Sequence, residues 1–174
     1  MRYATDIPWE TQVVGPMYGT EHTYRKAAEW LKDCRTVADW GGCLGYTQKF
    51  LPTTVDYIVV DGTWHESWPV KWRVVDLAKY HEQTEGILLR HVLEMTHDWE
   101  QILRNAVKAF TKRMVVVTFT PRCGKTHHHT NHVTWPVYHF NHNRDLIPWM
   151  QPHLVQMEYI KTTVPERIYF LEKK

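Results

Sequence analysis

The feature that most constrains the fold is MVVVTF, residues 114–119, which is apolar along its length and rich in β-branched side chains. A strand with one solvated face alternates apolar and polar residues, so an unbroken apolar run predicts a strand buried on both faces. Such strands belong to parallel sheets whose two faces are covered by helices. The run therefore predicts an α/β protein.

Four further runs carry strand patterns. They cover residues 36–40, 55–63, 72–80 and 86–95. The second run is stopped by Asp61-Gly62 and the third by Asp76, and residues of these types commonly end strands. The first run, TVADW, continues into the glycine turn GGCLG and then into a predicted short helix over about residues 46–50. Strand, glycine turn and helix are typical of the start of a βαβ unit.

Two segments repeat apolar residues at the spacing of an amphipathic helix. The stripe of the first is formed by Tyr24, Ala27, Ala28 and Leu31, and that of the second by Trp99, Ile102, Leu103, Ala106, Val107 and Phe110. We expect the first helix to begin at Thr20 as N-cap and to end near Asp33. We expect the second to begin at a capping box of Asp98 and Gln101 and to close with the basic residues 112–113.

The C-terminal part of the chain predicts a short helix over residues 145–150 and then two strands joined by TVP, LVQMEYIKT and ERIYFLEK. Strands that alternate with helices and finish in a hairpin indicate a Rossmann-like, open, mostly parallel sheet with a C-terminal antiparallel strand pair and helices on both faces. We expect one domain over residues 1–174, with an irregular arm at 1–19 and a polar, His-rich insertion at 121–143.

Composition excludes several classes of protein. Hydrophobic residues make up 43% and charged residues 23% of the chain, which excludes disordered and fibrous classes. The net charge of +2, with both signs well mixed, lacks the basic stripe of a nucleic-acid-binding protein. Three cysteines without framework spacing predict free thiols and a cytoplasmic location. No apolar run reaches the length of a membrane span, so we expect no membrane partner.

Ligands of open α/β sheets bind at the carboxyl ends of the strands, so the residues that follow each strand are the candidate site. After the first strand come Asp39 and the glycines 41, 42 and 45, which permit a sharp turn and a close approach of backbone N–H groups to a ligand. Asp61 ends the second strand, where an acid can accept hydrogen bonds from ribose hydroxyls. Asp76 follows the third strand. Together these residues favour an adenosine-containing cofactor.

The successive segments DWGGCLG (39–45), VVDL (74–77) and RHVLEMTHDWEQIL (90–103), with Asp61 between the first two, resemble the motifs of class I S-adenosylmethionine-dependent methyltransferases. The C-terminal segment RDLIPWMQPHLVQMEYI…ERIYFLEKK resembles their last helix and reversed strand pair. The resemblance covers about residues 20–174. It implies a seven-stranded sheet whose last-inserted strand is antiparallel, with S-adenosylmethionine lying across strands one to four and S-adenosylhomocysteine as product.

The resemblance also implies roles for single residues. Residues implied in cofactor binding are Asp39, Gly41, Gly42, Gly45, Asp61, Gly62, Asp76, Leu77, Arg90 and His91. His91 and His127 are the candidate catalytic bases, because histidine has a suitable pKa for this task; Glu94 and Asp98 are alternatives. The chain departs from the family at Cys43, which stands where the family usually has glycine, and this side chain threatens to crowd the cofactor or shift the turn.

The functional prediction is methyl transfer from S-adenosylmethionine to an acceptor, with a small molecule favoured and a peptide side chain second. The competing predictions are a protein that binds S-adenosylmethionine without turnover, and a His-rich metal-binding protein on the same fold.

The segment CGKTHHHTNH, residues 123–132, invites two other interpretations. A phosphate loop would need glycine where the chain has Phe119, and a helix after Thr126. A metal site formed by Cys123 with histidines 127, 129 and 132 matches no standard zinc spacing, so we predict no metal. We expect the segment to cover the acceptor pocket.

Overall fold

The computed structural model describes residues 21–63, 70–130, 136–161 and 165–174. Its α-helices are α1 (Glu21–Leu31), α2 (Trp99–Ala109) and α3 (Ile147–Met150). Its strands are β1 (Thr36–Trp40), β2 (Asp56–Asp61), β3 (Trp72–Val74), β4 (Thr84–Arg90), β5 (Phe110–Thr118), β6 (His127–Thr130), β7 (Pro136–His139), β8 (Leu154–Ile160) and β9 (Glu166–Glu172). Short 3₁₀ helices form at Tyr46–Phe50 and Leu93–Met95, and a π-helical turn forms at His142–Leu146.

Seven of the strands form one open sheet in the order β3-β2-β1-β4-β5-β9-β8. The first five are parallel to one another, whereas β9 is antiparallel to both of its neighbours, β5 and β8. This arrangement confirms the predicted Rossmann-like sheet with an antiparallel C-terminal strand pair. Its order reverses between β1 and β4, which places a ligand-binding crevice at the carboxyl ends of these two strands.

Two apolar clusters cover the two faces of the sheet. Along β4, Leu88 faces the cluster that includes α1, whereas Ile87 and Leu89 face the cluster that includes α2. All three side chains are fully buried. The uninterrupted apolar strands are therefore explained by helices packed on opposite faces, as the sequence predicted.

The second helix differs from its prediction at both ends. The side chain of Asp98 makes no capping hydrogen bond, and the Gln101 amide donates to Asn105 Oδ1 at 2.7 Å instead of reaching back to Asp98. The helix ends at Ala109, and β5 begins with the next residue. The predicted capping box is thus wrong, because Gln101 bonds to Asn105 within the helix. The predicted basic helix end at 112–113 is also wrong, because these residues pair in β5.

The His-rich insertion contains a hairpin that the sequence did not reveal. Strands β6 and β7 pair in an antiparallel register, with His127 opposite His139 and His128 opposite Tyr138. The fourth strand is also shorter than its apolar run, since it ends at Arg90 and a 3₁₀ helix follows. Residues 1–20, with the predicted arm and the N-cap Thr20, lie outside the described residues.

Within the described ranges, no helix combines the length and the apolar character that crossing a membrane requires.

Candidate active site

The turn after β1 alternates between two backbone conformations. Gly41, Cys43 and Gly45 have φ values of 72°, 48° and 65°, whereas the residues between them do not adopt the left-handed region. Cys43 therefore takes the conformation that a glycine would take, at the cost that a Cβ imposes there. The left-handed alternation thus continues through Cys43.

Packing explains why glycine is required at the first and last of these positions. A Cβ on Gly41 would lie 2.5 Å from Val92 Cγ2, and one on Gly45 would lie 2.9 Å from Val70 Cγ1. The backbone at Gly41 is also tied to the neighbouring strand, since its N–H donates to Val60 O at 2.7 Å. The turn is thus held against β2 and the segment after β4.

Asp39, at the end of β1, points into the protein. Its carboxylate accepts a hydrogen bond from the Tyr57 hydroxyl at 2.5 Å, and a Cβ on Gly42 would meet its Cγ at 2.6 Å. Burial raises the pKa of Asp39 to about 6, against hydrogen bonds from Tyr57 and Thr47 that lower it. The Asp39 side chain thus lies against the turn. Because Gly42 has no side chain, the backbone of the turn can lie close to this carboxyl group.

Asp61 joins the end of β2 to the same turn. Its Oδ2 accepts the backbone N–H of Cys43 at 3.2 Å, and its Oδ1 accepts that of Thr63 at 3.3 Å. Burial raises the pKa of this carboxyl group to about 6, opposed by the hydrogen bonds from Cys43, Thr63 and Gly62. Each carboxylate oxygen has two lone pairs, so both retain capacity to accept from a ligand.

Asp76 and Leu77 belong to the loop that follows β3. Asp76 Oδ1 caps this loop by accepting the Ala78 N–H at 3.0 Å, and Oδ2 lies 3.0 Å from Lys79 Nζ. The amide of Asn105 on α2 donates to the carbonyls of Leu77 and Ala78 at 3.3 and 2.8 Å. The loop is therefore fixed from the α2 face, with Asp76 at its start.

Arg90 and His91 end β4 in a buried polar network. Arg90 Nη2 and His91 Nε2 both lie 2.8 Å from Oε1 of Glu166, whose side chain is fully buried at the start of β9. Arg90 also donates to the Thr23 and Tyr24 hydroxyls on α1, at 3.2 and 3.0 Å. The network joins α1, β4 and β9 beside the turn after β1.

The environment of His91 favours the neutral imidazole. Arg90 Nη1 lies 3.3 Å from His91 Nδ1, so Nδ1 accepts and Nε2 carries the proton, 2.8 Å from Glu166 Oε1. Burial lowers the pKa of His91 to about 4, opposed by Glu166 and assisted by the Arg90 charge. Its backbone φ of 59° and the edge-to-face contact of its ring with Phe119, at 5.0 Å, hold the imidazole in place.

Glu94 is a second buried acid near the end of β4. Its Oε1 accepts the backbone N–H of Phe119 at 2.5 Å, while Oε2 has no hydrogen-bond partner within the described ranges. Burial raises the pKa of Glu94 to about 7, against backbone hydrogen bonds that include those of Phe119 and Thr120. Glu94 thereby links the segment after β4 to the end of β5.

His127 lies on the exposed hairpin. Its ring stacks on that of His139 with centroids 5.0 Å apart and planes 3° apart, and its Nδ1 lies 3.0 Å from Lys125 O. These contacts of His127 lie within the hairpin and the segment that precedes it. Strand β6 directly follows Thr126, in the position where a phosphate loop would place a helix.

The metal interpretation rests on four side chains in the same segment. The Cys123 thiol donates to the carbonyls of Lys125 and His139, at 3.0 and 3.1 Å. His132 and the side chain of His129 lie outside the described part of the chain. Among the described residues, no group of three or more histidine, cysteine or acidic side chains has the arrangement of a metal site.

Thr23, Tyr24 and Glu166, which belong to the buried network of Arg90, are not among the candidate site residues predicted from the sequence. Glu166 lies 76 residues from its partner Arg90, and 143 from Thr23. A sequence pattern read over one helix or strand carries no signal for pairs at such separations.

The comparisons with known proteins agree with this geometry at the level of the fold. No protein-family model matches the chain, and none of the curated proteins matches it at a significant level. The structure is similar to 1,6-didemethyltoxoflavin-N1-methyltransferase from Burkholderia thailandensis, solved with bound 1,6-didemethyltoxoflavin and S-adenosylhomocysteine, with a TM-score of 0.70 and 17% identity over 88% of this chain and 79% of that one.

Two further solved structures extend the likeness. Magnesium protoporphyrin IX methyltransferase from Synechocystis PCC 6803, with bound S-adenosylmethionine, gives a TM-score of 0.66 at 13% identity over 88% of this chain and 79% of that one. The N-methyltransferase NodS from Bradyrhizobium japonicum WM9, with S-adenosylhomocysteine, gives 0.59 at 13% identity over 97% and 93%. The chain thus has the fold found in S-adenosylmethionine-dependent methyltransferases.

Proposed function

We propose that this protein is an S-adenosylmethionine-dependent methyltransferase that acts on a small molecule. The observation that carries the proposal is the turn of residues 41–45, whose alternating left-handed residues are tied to the Asp61 carboxylate at the reversal point of the sheet. The similar solved structures are methyltransferases named for small-molecule substrates and solved with bound S-adenosylmethionine or S-adenosylhomocysteine.

The residues of the turn fit the proposed cofactor. Gly41 and Gly45 have no side chain to obstruct a ligand that approaches the turn, and the Asp61 oxygens retain lone pairs for ribose hydroxyls. Asp76 is proposed to accept from the adenine amine. Cys43 adds one side chain to this surface, and burial, followed by the nearby Asp61 charge, raises the pKa of its thiol to about 11. The thiol is therefore neutral and adds bulk rather than charge.

When bound, S-adenosylmethionine supplies an activated methyl group, and the protein's task is alignment in a site that excludes water. Arg90 and Glu166 are proposed to fix the wall of the site, because their charges are satisfied inside the protein. His91 is proposed to position this wall rather than to take the acceptor's proton, since both of its ring nitrogens face groups of the protein. A catalytic role for His127 stays a prediction.

The test is a calorimetric titration of tag-free protein with S-adenosylhomocysteine, followed by assays for methyl transfer to a panel of small acceptors. Ligand that binds the folded state also raises thermal stability, by about 2.7 kcal/mol at a hundredfold excess over Kd. Gly41→Ala should abolish binding because its Cβ meets Val92, whereas Gly124→Ala is the matched control, since its Cβ meets nothing within 4 Å. Absence of binding at millimolar ligand would contradict the proposal; binding without any turnover would favour a non-catalytic binding protein.

The proposed location is the cytoplasm. All three cysteines, Cys34, Cys43 and Cys123, are free thiols in the structure. Free thiols are typical of proteins from reducing compartments.

A further inference from the structure

An open cavity of about 490 Å³ lies in the segment between β5 and α3. It is lined by Arg122, Cys123, Gly124, Asn141, Asn143 and Arg144. None of these six residues is acidic, and two of them carry a permanent positive charge. The cavity therefore has the electrostatic character of an anion-binding site.

The backbone around the cavity is held by a set of internal hydrogen bonds. The Asn141 amide donates to Gly124 O at 2.7 Å, and its Oδ1 accepts the Arg144 N–H at 3.2 Å. At the adjacent pair of residues, the N–H of Cys123 donates to Phe140 O at 3.2 Å. These hydrogen bonds join residues 123–124 to residues 140–141, which form the walls of the cavity. The cavity therefore does not depend on a ligand for its shape.

The two guanidinium groups have few competing partners. Within the described ranges, the Arg122 side chain makes no ion pair and no hydrogen bond. Arg144 lies 3.9 Å from Asp145 Oδ1, at the outer limit of an ion pair, and its side chain is 78% exposed. Asp145 is itself engaged, because its other oxygen accepts from the Thr126 hydroxyl. Both arginines thus retain most of their donors for a ligand.

The cavity lies close to the candidate active site. Phe119, whose ring contacts His91, precedes Arg122 by three residues. Three residues of extended chain span at most about 11 Å, so Arg122 lies within that distance of the residue that contacts His91. A guanidinium binds carboxylate and phosphate groups through two parallel hydrogen bonds, which gives orientation as well as affinity.

We propose that Arg122 and Arg144 bind the anionic group, a carboxylate or a phosphate, of the methyl acceptor. The assignment of the ligand as acceptor rests on the proposed function, whereas the anion site itself does not. The proposal narrows the acceptor to small molecules that carry such a group some distance from the atom that receives the methyl group. It also gives the His-rich insertion a role, because the insertion supplies every residue of the cavity except Arg144.

The first experiment measures thermal stability of the tag-free protein during titration with sodium phosphate or sodium acetate, against sodium chloride at matched ionic strength. We expect at least one of the two anions to stabilise the protein, and each of Arg122→Gln and Arg144→Gln to weaken its apparent Kd about tenfold or more. Arg104→Gln is the matched control, since Arg104 is an exposed arginine on α2 that pairs with Glu100. No anion-specific shift, or equal shifts in all four proteins, would overturn the anion site.

The second experiment separates this inference from the proposed function. S-adenosylhomocysteine should bind Arg122→Gln and Arg144→Gln with unchanged Kd, because neither residue belongs to the turn of residues 41–45. Among acceptors that are turned over, those with a carboxylate or phosphate should exceed their neutral esters, and Arg122→Gln should raise KM for the anionic members alone. Equal KM values for anionic and neutral acceptors would contradict the assignment of the anion as part of the acceptor. Failure of the wild-type protein to bind S-adenosylhomocysteine would instead contradict the proposed function.

Discussion

The backbone N–H of Cys43 donates to Asp61 Oδ2 at 3.2 Å, and this contact ties the turn after β1 to the end of β2. Asp61 therefore has a structural role, which is to hold the turn. In the proposed function it has a second role, which is to bind the ribose of the cofactor. The same carboxylate accepts from Thr63, so its removal would release two segments at once.

Asp61→Asn should weaken binding of S-adenosylhomocysteine by about ten- to a hundredfold, since hydrogen bonds to charged groups contribute about 1.5–3 kcal/mol each. The variant keeps the size of the side chain but loses its charge and one acceptor. Calorimetric titration measures the change. Asp56→Asn, at the exposed opposite end of β2, is the control and should bind as the wild type does. Equal affinity of Asp61→Asn and wild type would contradict the role of the carboxylate.

Cys43→Gly should raise the free energy of unfolding by about 1 kcal/mol relative to Cys43→Ser. A non-glycine residue at a φ of 48° carries strain on the order of 1–3 kcal/mol, which glycine relieves, although glycine also loses more entropy on folding. Cys43→Ser is matched because it retains the Cβ. Urea denaturation gives both values, and a glycine variant less stable than the serine variant would show that the turn does not strain this residue.

The strands of the main sheet could be predicted because their signals are local. Apolar runs and helical stripes identified seven strands of the main sheet and both long helices, and the family resemblance supplied their arrangement. The end of α2 could not be placed, since helix and strand patterns overlap at Phe110 and pairing of β5 with its neighbours decides the boundary. Tertiary pairing overrides local propensity at such junctions.

The candidate site was predictable only in part, for a related reason. Asp39 and Asp61 stand out in the sequence because each follows an apolar run. Their different surroundings cannot be predicted from the sequence. The Tyr57 hydroxyl, whose hydrogen bond holds Asp39 inward, lies on the neighbouring strand β2. The hairpin of β6 and β7 was missed because histidine-rich segments carry neither helical nor strand periodicity.

Glu166→Gln should destabilise the protein by about 3–5 kcal/mol, because it leaves the buried Arg90 charge without its counter-charge. The matched control is Glu158→Gln, whose ion pair with Lys26 is partly exposed and should contribute less than about 1 kcal/mol. Both values come from urea denaturation at one pH. A loss in Glu166→Gln no larger than in the control would show that the network is not held by charge.

Glu94→Gln should change how stability depends on pH. Burial raises the pKa of Glu94 from 4.5 to about 7, so between these values the folded protein keeps a proton that the unfolded chain releases. This contribution is complete below pH 4.5 and is lost as the pH rises to 7, by on the order of 3 kcal/mol at about 1.4 kcal/mol per pKa unit. Glutamine cannot titrate, yet its Oε1 can still accept from Phe119 N–H.

The free energy of unfolding of Glu94→Gln, relative to wild type, should therefore rise between pH 5 and pH 8. Asp39 and Asp61 also titrate in this window, but they are present in both proteins and cancel in the difference. Urea denaturation at pH 5 and pH 8 measures this difference in the free energy of unfolding. The control is Glu100→Gln, an exposed position on α2, whose free energy of unfolding should differ from that of the wild type by the same amount at both pH values. A constant difference for Glu94→Gln as well would mean that the pKa of the buried carboxyl group is not raised in the folded protein.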